Sequence, residues 1–186
     1  MDPELTKVAG VIVAVAVGAG IVLATILVVA RRRLENGWIA TQQQRGLLYD
    51  RLKHQGVLVQ KFMETANYRL TGERDSLEIL GRRQTKVAAG RTPPEKAAAI
   101  IELNGHLEQL ISIADSDPGL SGLSEYEALR EKIEQAVDDI GRAATNYNET
   151  VDAYNKQASG FFGRLFGSLQ ADRFDASKRK RGAERL

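Results

Sequence analysis

The chain contains no cysteine. Disulfides, thiolate metal sites and cysteine nucleophiles are therefore excluded, although the compartment is left open. Only four prolines interrupt 186 residues, and the long stretches rich in Ala, Leu, Glu, Lys and Arg favour helices over sheets. Charge of one sign is also scarce. Twenty-six basic against 24 acidic residues leave a formal charge of +2, too near neutral to indicate a nucleic-acid partner. The two histidines, His54 and His106, lie far apart, and no GxxxxGK[ST], GxSxG or HExxH pattern occurs. Glu102 and His106 stand four apart as two nominal metal ligands, but no third is evident, so a solvated Glu–His pair is the expected reading. Asp138 and Asp139 read as part of a solvated face. No catalytic residue, metal site or cofactor is expected.

What is present begins with a run of 23 uncharged residues, Val8 to Ala30. As a helix it is roughly 34 Å long, enough to cross a bilayer core. Val28 and Ala30 would suit a signal-peptide cleavage site. The run is too long for that, however, and the leading MDPELTK is not a basic n-region, so a retained anchor is expected. Arg31, Arg32, Arg33 and Arg45 follow the run, whereas only Lys7 and the amino terminus precede it. The positive-inside rule then puts residues 1–7 outside and residues 31–186 in the cytoplasm, under a bacterial inner membrane. Gly10, Ala14 and Gly18, and likewise Ala16, Gly20 and Ala24, form small-residue stripes through which two spans could self-associate.

Beyond the arginines, apolar residues recur at helical spacing. Leu34, Trp38, Leu48, Leu52, Val59, Phe62 and Ala66 make a first seam, interrupted by Thr41, Arg45 and Gln55. Thr71-Gly72 is a plausible break, but the pattern resumes from Glu73 to Ala89 through Leu77, Leu80, Gln84 and Val87. Reversal and a kinked continuous helix both remain open there. Thr92, Pro93 and Glu95 spell a capping box that opens a helix to about Ala114, running through Asn104-Gly105. Residues 115–122 read as a loop, and Ser124 with Glu127 as a second capping box. The last seam is the most regular. It runs from Leu123 through Tyr126, Leu129, Ile133, Val137, Ile140, Ala144, Tyr147, Val151 and Tyr154 to Ala158, in steps of three and four. The fold class expected is all-α, an N-terminal transmembrane helix followed by an antiparallel up-and-down four-helix bundle over residues 31–160.

Two further features invite a role. In YNETVDAYN, Tyr147 and Tyr154 lie seven apart with Val151 between them, and Asn148, Asp152 and Asn155 form a polar stripe alongside. Asn is a poor helix former, so hydrogen bonds to a neighbouring helix are expected, with a docking surface for a protein partner as the sharper alternative. In residues 161–186, Phe161, Phe162, Leu165, Phe166 and Leu169 cluster on one helical face and precede Lys178, Arg179, Lys180 and Arg181. Such a segment can lie on an anionic bilayer surface. The expected reading, however, is that the phenylalanines cap the bundle core and the basic tail is simply disordered.

Taken together, ERDSLEIL (73–80), LNGHLEQLISIADSDPGLSG (103–122), YEALREKIEQ (126–135), YNETVDAYNKQ (147–157) and FFGRLFG (161–167) resemble the LemA family. Trp38 follows Gly37 rather than Ala, residues 49–59 lack the family's Pro-Asn, and Ala158-Ser159-Gly160 replaces its Ser-Phe-Pro turn. The resemblance implies a four-helix up-and-down bundle and no catalytic residues. The leading functional expectation is a single-pass, non-catalytic scaffold or adaptor with an unidentified protein partner. A membrane-linked sensor comes second, and an unrecognised hydrolase third.

Overall fold

The structure, a computed structural model, describes the backbone of residues 3–176 and the side chains of residues 15–176. Helix α1, Pro3–Asn67, is one unbroken rod of 65 residues, roughly 97 Å long. Its first part is apolar, with a mean hydropathy of 1.9 over an 18-residue window none of which is buried. By length and composition it can cross a membrane. From Leu34 onward the same helix turns one face inward, burying Leu48, Leu52, Val59, Phe62 and Ala66.

The chain does reverse near Gly72. Leu70 donates its N–H to the Ala66 carbonyl, a 3-10 turn spans Thr71–Glu73, and α2 runs over Arg74–Ala89. The seam resumes after the turn because Leu77, Leu80 and Val87 pack against the helix they have doubled back upon. Helix α3, Pro93–Asp115, opens with the expected capping box. Thr92 Oγ1 accepts from the Glu95 N–H, and Glu95 Oε2 accepts from the N–H groups of Thr92 and Arg91. Those amide bonds hold the Glu95 carboxyl below its usual range. The supposed loop 115–122 contains a helical turn, α4 Pro118–Ser121, capped by Asp117 and anchored by the fully buried Leu120. Helix α5, Ser124–Ala158, is 35 residues long. Its cap differs from the capping box expected at Ser124. Leu123 is the N-cap and its carbonyl receives the Glu127 N–H, so Ser124 is already inside the helix.

Cross-helix pairs fix the directions. Gly37 lies against Tyr154, Arg51 pairs with Asp139, and the Phe62 and Tyr126 rings sit 6.5 Å apart, so α1 and α5 are antiparallel. Gln84 donates to the Gly56 carbonyl and Gly81 faces Met63, which sets α2 antiparallel to α1. Lys86 meets Glu102 and His106 meets the Ser76 carbonyl, so α3 runs against α2. Tyr126 donates to Asp115, closing α3 onto α5. The result is the antiparallel up-and-down four-helix bundle expected from the seams.

Apolar burial holds it together. Each fully buried Leu, Ile or Phe contributes about 1.5–3 kcal/mol, whereas exposed pairs such as Lys86–Glu102 contribute about 0–1 kcal/mol. The polar interruptions of the first seam are accommodated individually. Thr41 bonds back to the Gly37 carbonyl, and the wholly buried Gln55 donates to Asn104 on α3 at 2.8 Å. Trp38, read as a core position, is 42% exposed and lies with its ring 5.5 Å from that of Tyr154. In the first half of α5, Ala136 takes the buried place read for Val137, and Leu123, at the N-cap, is 38% exposed.

Candidate functional site

The doubled Tyr-Asn sits on the last three turns of α5, and what it holds is the end of the chain. After Ala158 the backbone bends at Gly160 and forms α6, Phe161–Leu165. Gly163 is pressed so closely onto the end of α5 that a Cβ there would run into the Ala158 carbonyl. Gly167 then adopts φ +64°, a left-handed conformation that favours glycine, and the chain reverses. Residues 168–176 have no regular secondary structure and run back along α5.

Tyr154 donates its hydroxyl to the Leu169 carbonyl at 2.9 Å, and Tyr147 donates to the Asp172 carbonyl at 2.6 Å. Each asparagine makes a two-point bond to one backbone residue. Asn155 Nδ2 donates to the Ala171 carbonyl at 2.9 Å, while the Ala171 N–H donates back to Oδ1 at 2.8 Å. Asn148 does the same to Phe174, with both distances 2.8 Å. The two spacings match physically. Seven helical residues advance about 10.5 Å, and three residues of extended chain advance about 10 Å, so the pair 147/148 meets residues 172 and 174 just as 154/155 meets 169 and 171.

This corrects the expected partner of the polar stripe, which is an extended segment of the same chain and not a neighbouring helix. The apolar positions Tyr147, Val151 and Tyr154 are buried in the seam as read. Asp152, the third member of the stripe, pairs with Arg173 at 3.2 Å. Phe174 is 1% exposed and belongs to the core, so it anchors the segment. Burial pushes the Tyr147 hydroxyl up to about 12, with the neighbouring Tyr49 acting in the same sense. Tyr126 is likewise raised, by burial first and then by its hydrogen bond to Asp115.

The membrane-surface candidates separate. Phe161, Leu165 and Leu169 are exposed at 76%, 56% and 81%, with Phe162 and Phe166 more sheltered. They do not form one long helical face, because α6 ends at Leu165 and Leu169 lies beyond the Gly167 reversal. Lys178, Arg179, Lys180 and Arg181 lie outside the described residues. The segment leading to them heads along α5 away from the apolar end of α1. Glu102 and His106 do not converge as ligands: Glu102 binds Lys86, which holds its carboxyl below the usual range, and His106 meets the Ser76 carbonyl. Of the small-residue stripes, Gly10 and Ala14 lie outside the described side chains, while Gly18 and Gly20 face open space.

The sequence model of the LemA family matches residues 49–183, from the last third of α1 through the clamped segment. The chain belongs to the LemA family. No curated protein matches it. In this LemA protein the Tyr-Asn repeat thus acts, on its geometry, as a backbone clamp. Sequence reasoning singled out all four clamp residues as a packing or docking seam, but it missed their partners, the backbones of Leu169, Ala171, Asp172 and Phe174, which give no side-chain signal. The lone aromatic Phe174 within QADRFDA is the mark that could have pointed to the anchor.

Proposed function

We propose that this LemA protein is a single-pass, membrane-anchored, non-catalytic scaffold whose bundle stands on the cytoplasmic side and meets protein partners there. The observation that carries the reading is the continuity of α1. The helix that presents exposed apolar residues up to Ala30 becomes, without a break, the core helix that α2 and α5 pack upon. A bundle joined to its anchor in this way is held at a fixed distance from the bilayer, as a platform requires. The non-catalytic reading is supported by the use of the polar groups. Tyr147, Asn148, Tyr154 and Asn155 are spent on the chain's own backbone. Arg31, Arg32 and Arg33 at the end of the apolar stretch support the cytoplasmic side.

Tyr68, 83% exposed at the far tip of the bundle, provides the test. In a chain without cysteine, Tyr68→Cys is the only thiol, and a membrane-impermeant maleimide can be applied to intact cells. Protection until lysis is the expected result. Labelling of intact cells would overturn the orientation and favour an outward-facing sensor. Mass measurement in detergent across a concentration series then reports whether the platform self-associates.

A further inference from the structure

Between α6 and the apolar part of α1 lies a groove of about 650 Å³. Its floor is Ile21, Val22, Ile26 and Val29 of α1, and its opposite wall is Phe161 and Phe162 of α6. At its polar rim stand Arg33, just past the apolar stretch, and Lys156, on the last turn of α5. Among the described residues, no carboxylate lines the groove. Both cations are solvent-exposed, and among the described residues neither forms an ion pair, whereas the neighbouring Arg31 is occupied by Glu35 at 2.9 Å. The groove therefore grades from an apolar floor to a doubly cationic rim over the same stretch in which α1 passes from uncharged to basic sequence.

We propose that this groove is a binding site for one anionic phospholipid, with the phosphate held by Arg33 and Lys156 and an acyl chain laid on α1 against Phe161 and Phe162. The proposal rests on the membrane reading of α1, since only then does the floor sit at the depth of lipid chains and the rim at the depth of headgroups. Charge complementarity selects the headgroup. A zwitterionic lipid brings its own cation, and no described lining residue is a carboxylate that could receive it, whereas an anionic headgroup leaves both basic side chains satisfied. The volume lies within the range of ordinary ligand sites. The position of α6 is fixed from two directions. Gly163 seats it on the end of α5, and the clamp ties down the chain that follows Gly167. The exposed Phe161 and Leu165 then lie where they can enter the interfacial region.

The test uses the full chain in vesicles. Trp38, the sole tryptophan, is replaced by Phe and a reporter is installed in the groove as Phe161→Trp. Chain-brominated phosphatidylglycerol or chain-brominated phosphatidylcholine is then added at equal mole fraction to unbrominated phosphatidylcholine, and indole quenching is measured. The expected result is a preference for the anionic lipid of roughly 25-fold at most, because two near-surface cations at up to about fivefold each multiply. It should fall close to onefold in Arg33→Gln/Lys156→Gln. That variant alters only exposed side chains, and its helical circular dichroism should match the parent. Equal quenching by the two brominated lipids would overturn the site while leaving the anchor standing. A preference that persists in the double variant would likewise overturn it. Absence of quenching by either lipid would overturn both the site and the membrane reading.

Discussion

Removing the side chain of Asn148 should loosen one end of the clamped segment and leave the bundle folded. Asn148→Ala deletes both bonds to Phe174, each 2.8 Å long. At about 1 kcal/mol net per bond, with a further penalty where a sheltered partner is left unmet, the loss is about 2–3 kcal/mol. Because residues 168–176 can detach while α1, α2, α3 and α5 stay packed, this loss falls on local undocking. The fraction of time the segment is open should rise by roughly 30- to 150-fold, and exchange of the Phe174 amide hydrogen should accelerate to match. Ala171, held by Asn155, should respond less. Asn148→Asp sharpens the test. The carboxylate still accepts from the Phe174 N–H but cannot donate to its carbonyl, and it sets one oxygen against another. Protection of the Phe174 amide, taken relative to its intrinsic exchange rate at each pH, should be low at neutral pH and recover below about pH 4, where the protonated acid regains a donor. Amide-resolved exchange reads both variants. Unchanged Phe174 protection in Asn148→Ala would refute the clamp as the force that seats the segment.

Three other outcomes follow from the same geometry. Burial pushes the Tyr147 hydroxyl up to about 12 from about 10 in the unfolded chain, so its contribution is complete below pH 10 and is lost as pH rises toward 12. Urea denaturation at pH 9 and 11.5 should show that loss reduced in Tyr147→Phe, and an identical loss in the variant would contradict it. Gly163→Ala drives a methyl into the Ala158 carbonyl and should push α6 off the end of α5. The Ser168 amide, which donates to the Gly163 carbonyl at 2.9 Å, should then exchange at least tenfold faster, and unaltered exchange would show that α6 tolerates the methyl. Gln55→Met loses the bond to Asn104 but also removes a buried Oε1 that has no partner among the described residues. Its stability should stay within about 1 kcal/mol of the parent by thermal denaturation, and a loss above about 3 kcal/mol would mean that the polar pair is essential.

The sequence was most legible where periodicity and local chemistry agreed. The α5 seam, Val137 and Leu123 apart, and the Thr92 capping box each carry their own physical signature and sit where the pattern puts them, and the uncharged run before Arg31 lies on an unburied stretch of α1. The reversal near Gly72 was open because the apolar rhythm continues on both sides of it, and only packing against α1 distinguishes a doubled-back helix from a kinked one. Ser124 misled by one residue, since a serine inside the first turn looks in sequence like a serine at the cap. The clamp was half visible. Its asparagines announced an unmet hydrogen-bonding need on a helix surface, but residues 168–176 lack periodicity, and their contribution is backbone N–H and C=O, which every sequence offers. The aromatic face assigned to residues 161–169 failed for a related reason. Glycines at 163 and 167 were compatible with helix by pattern, while the second lies at positive φ and turns the chain.

The central claim, that α1 is at once the membrane anchor and the first helix of the bundle, is tested most directly by spin-label accessibility along that helix. Single cysteines introduced one at a time from Ile21 to Asn67 would be nitroxide-labelled, and their relaxation by oxygen and by a water-soluble nickel chelate compared in lipid bilayers. The account predicts oxygen-dominated relaxation up to Ala30, a crossover at Arg31 to Arg33, and nickel access beyond it that oscillates with the helical period as α1 enters the bundle. Nickel access throughout residues 21–30 would contradict it, because the apolar end of α1 would then lie in water.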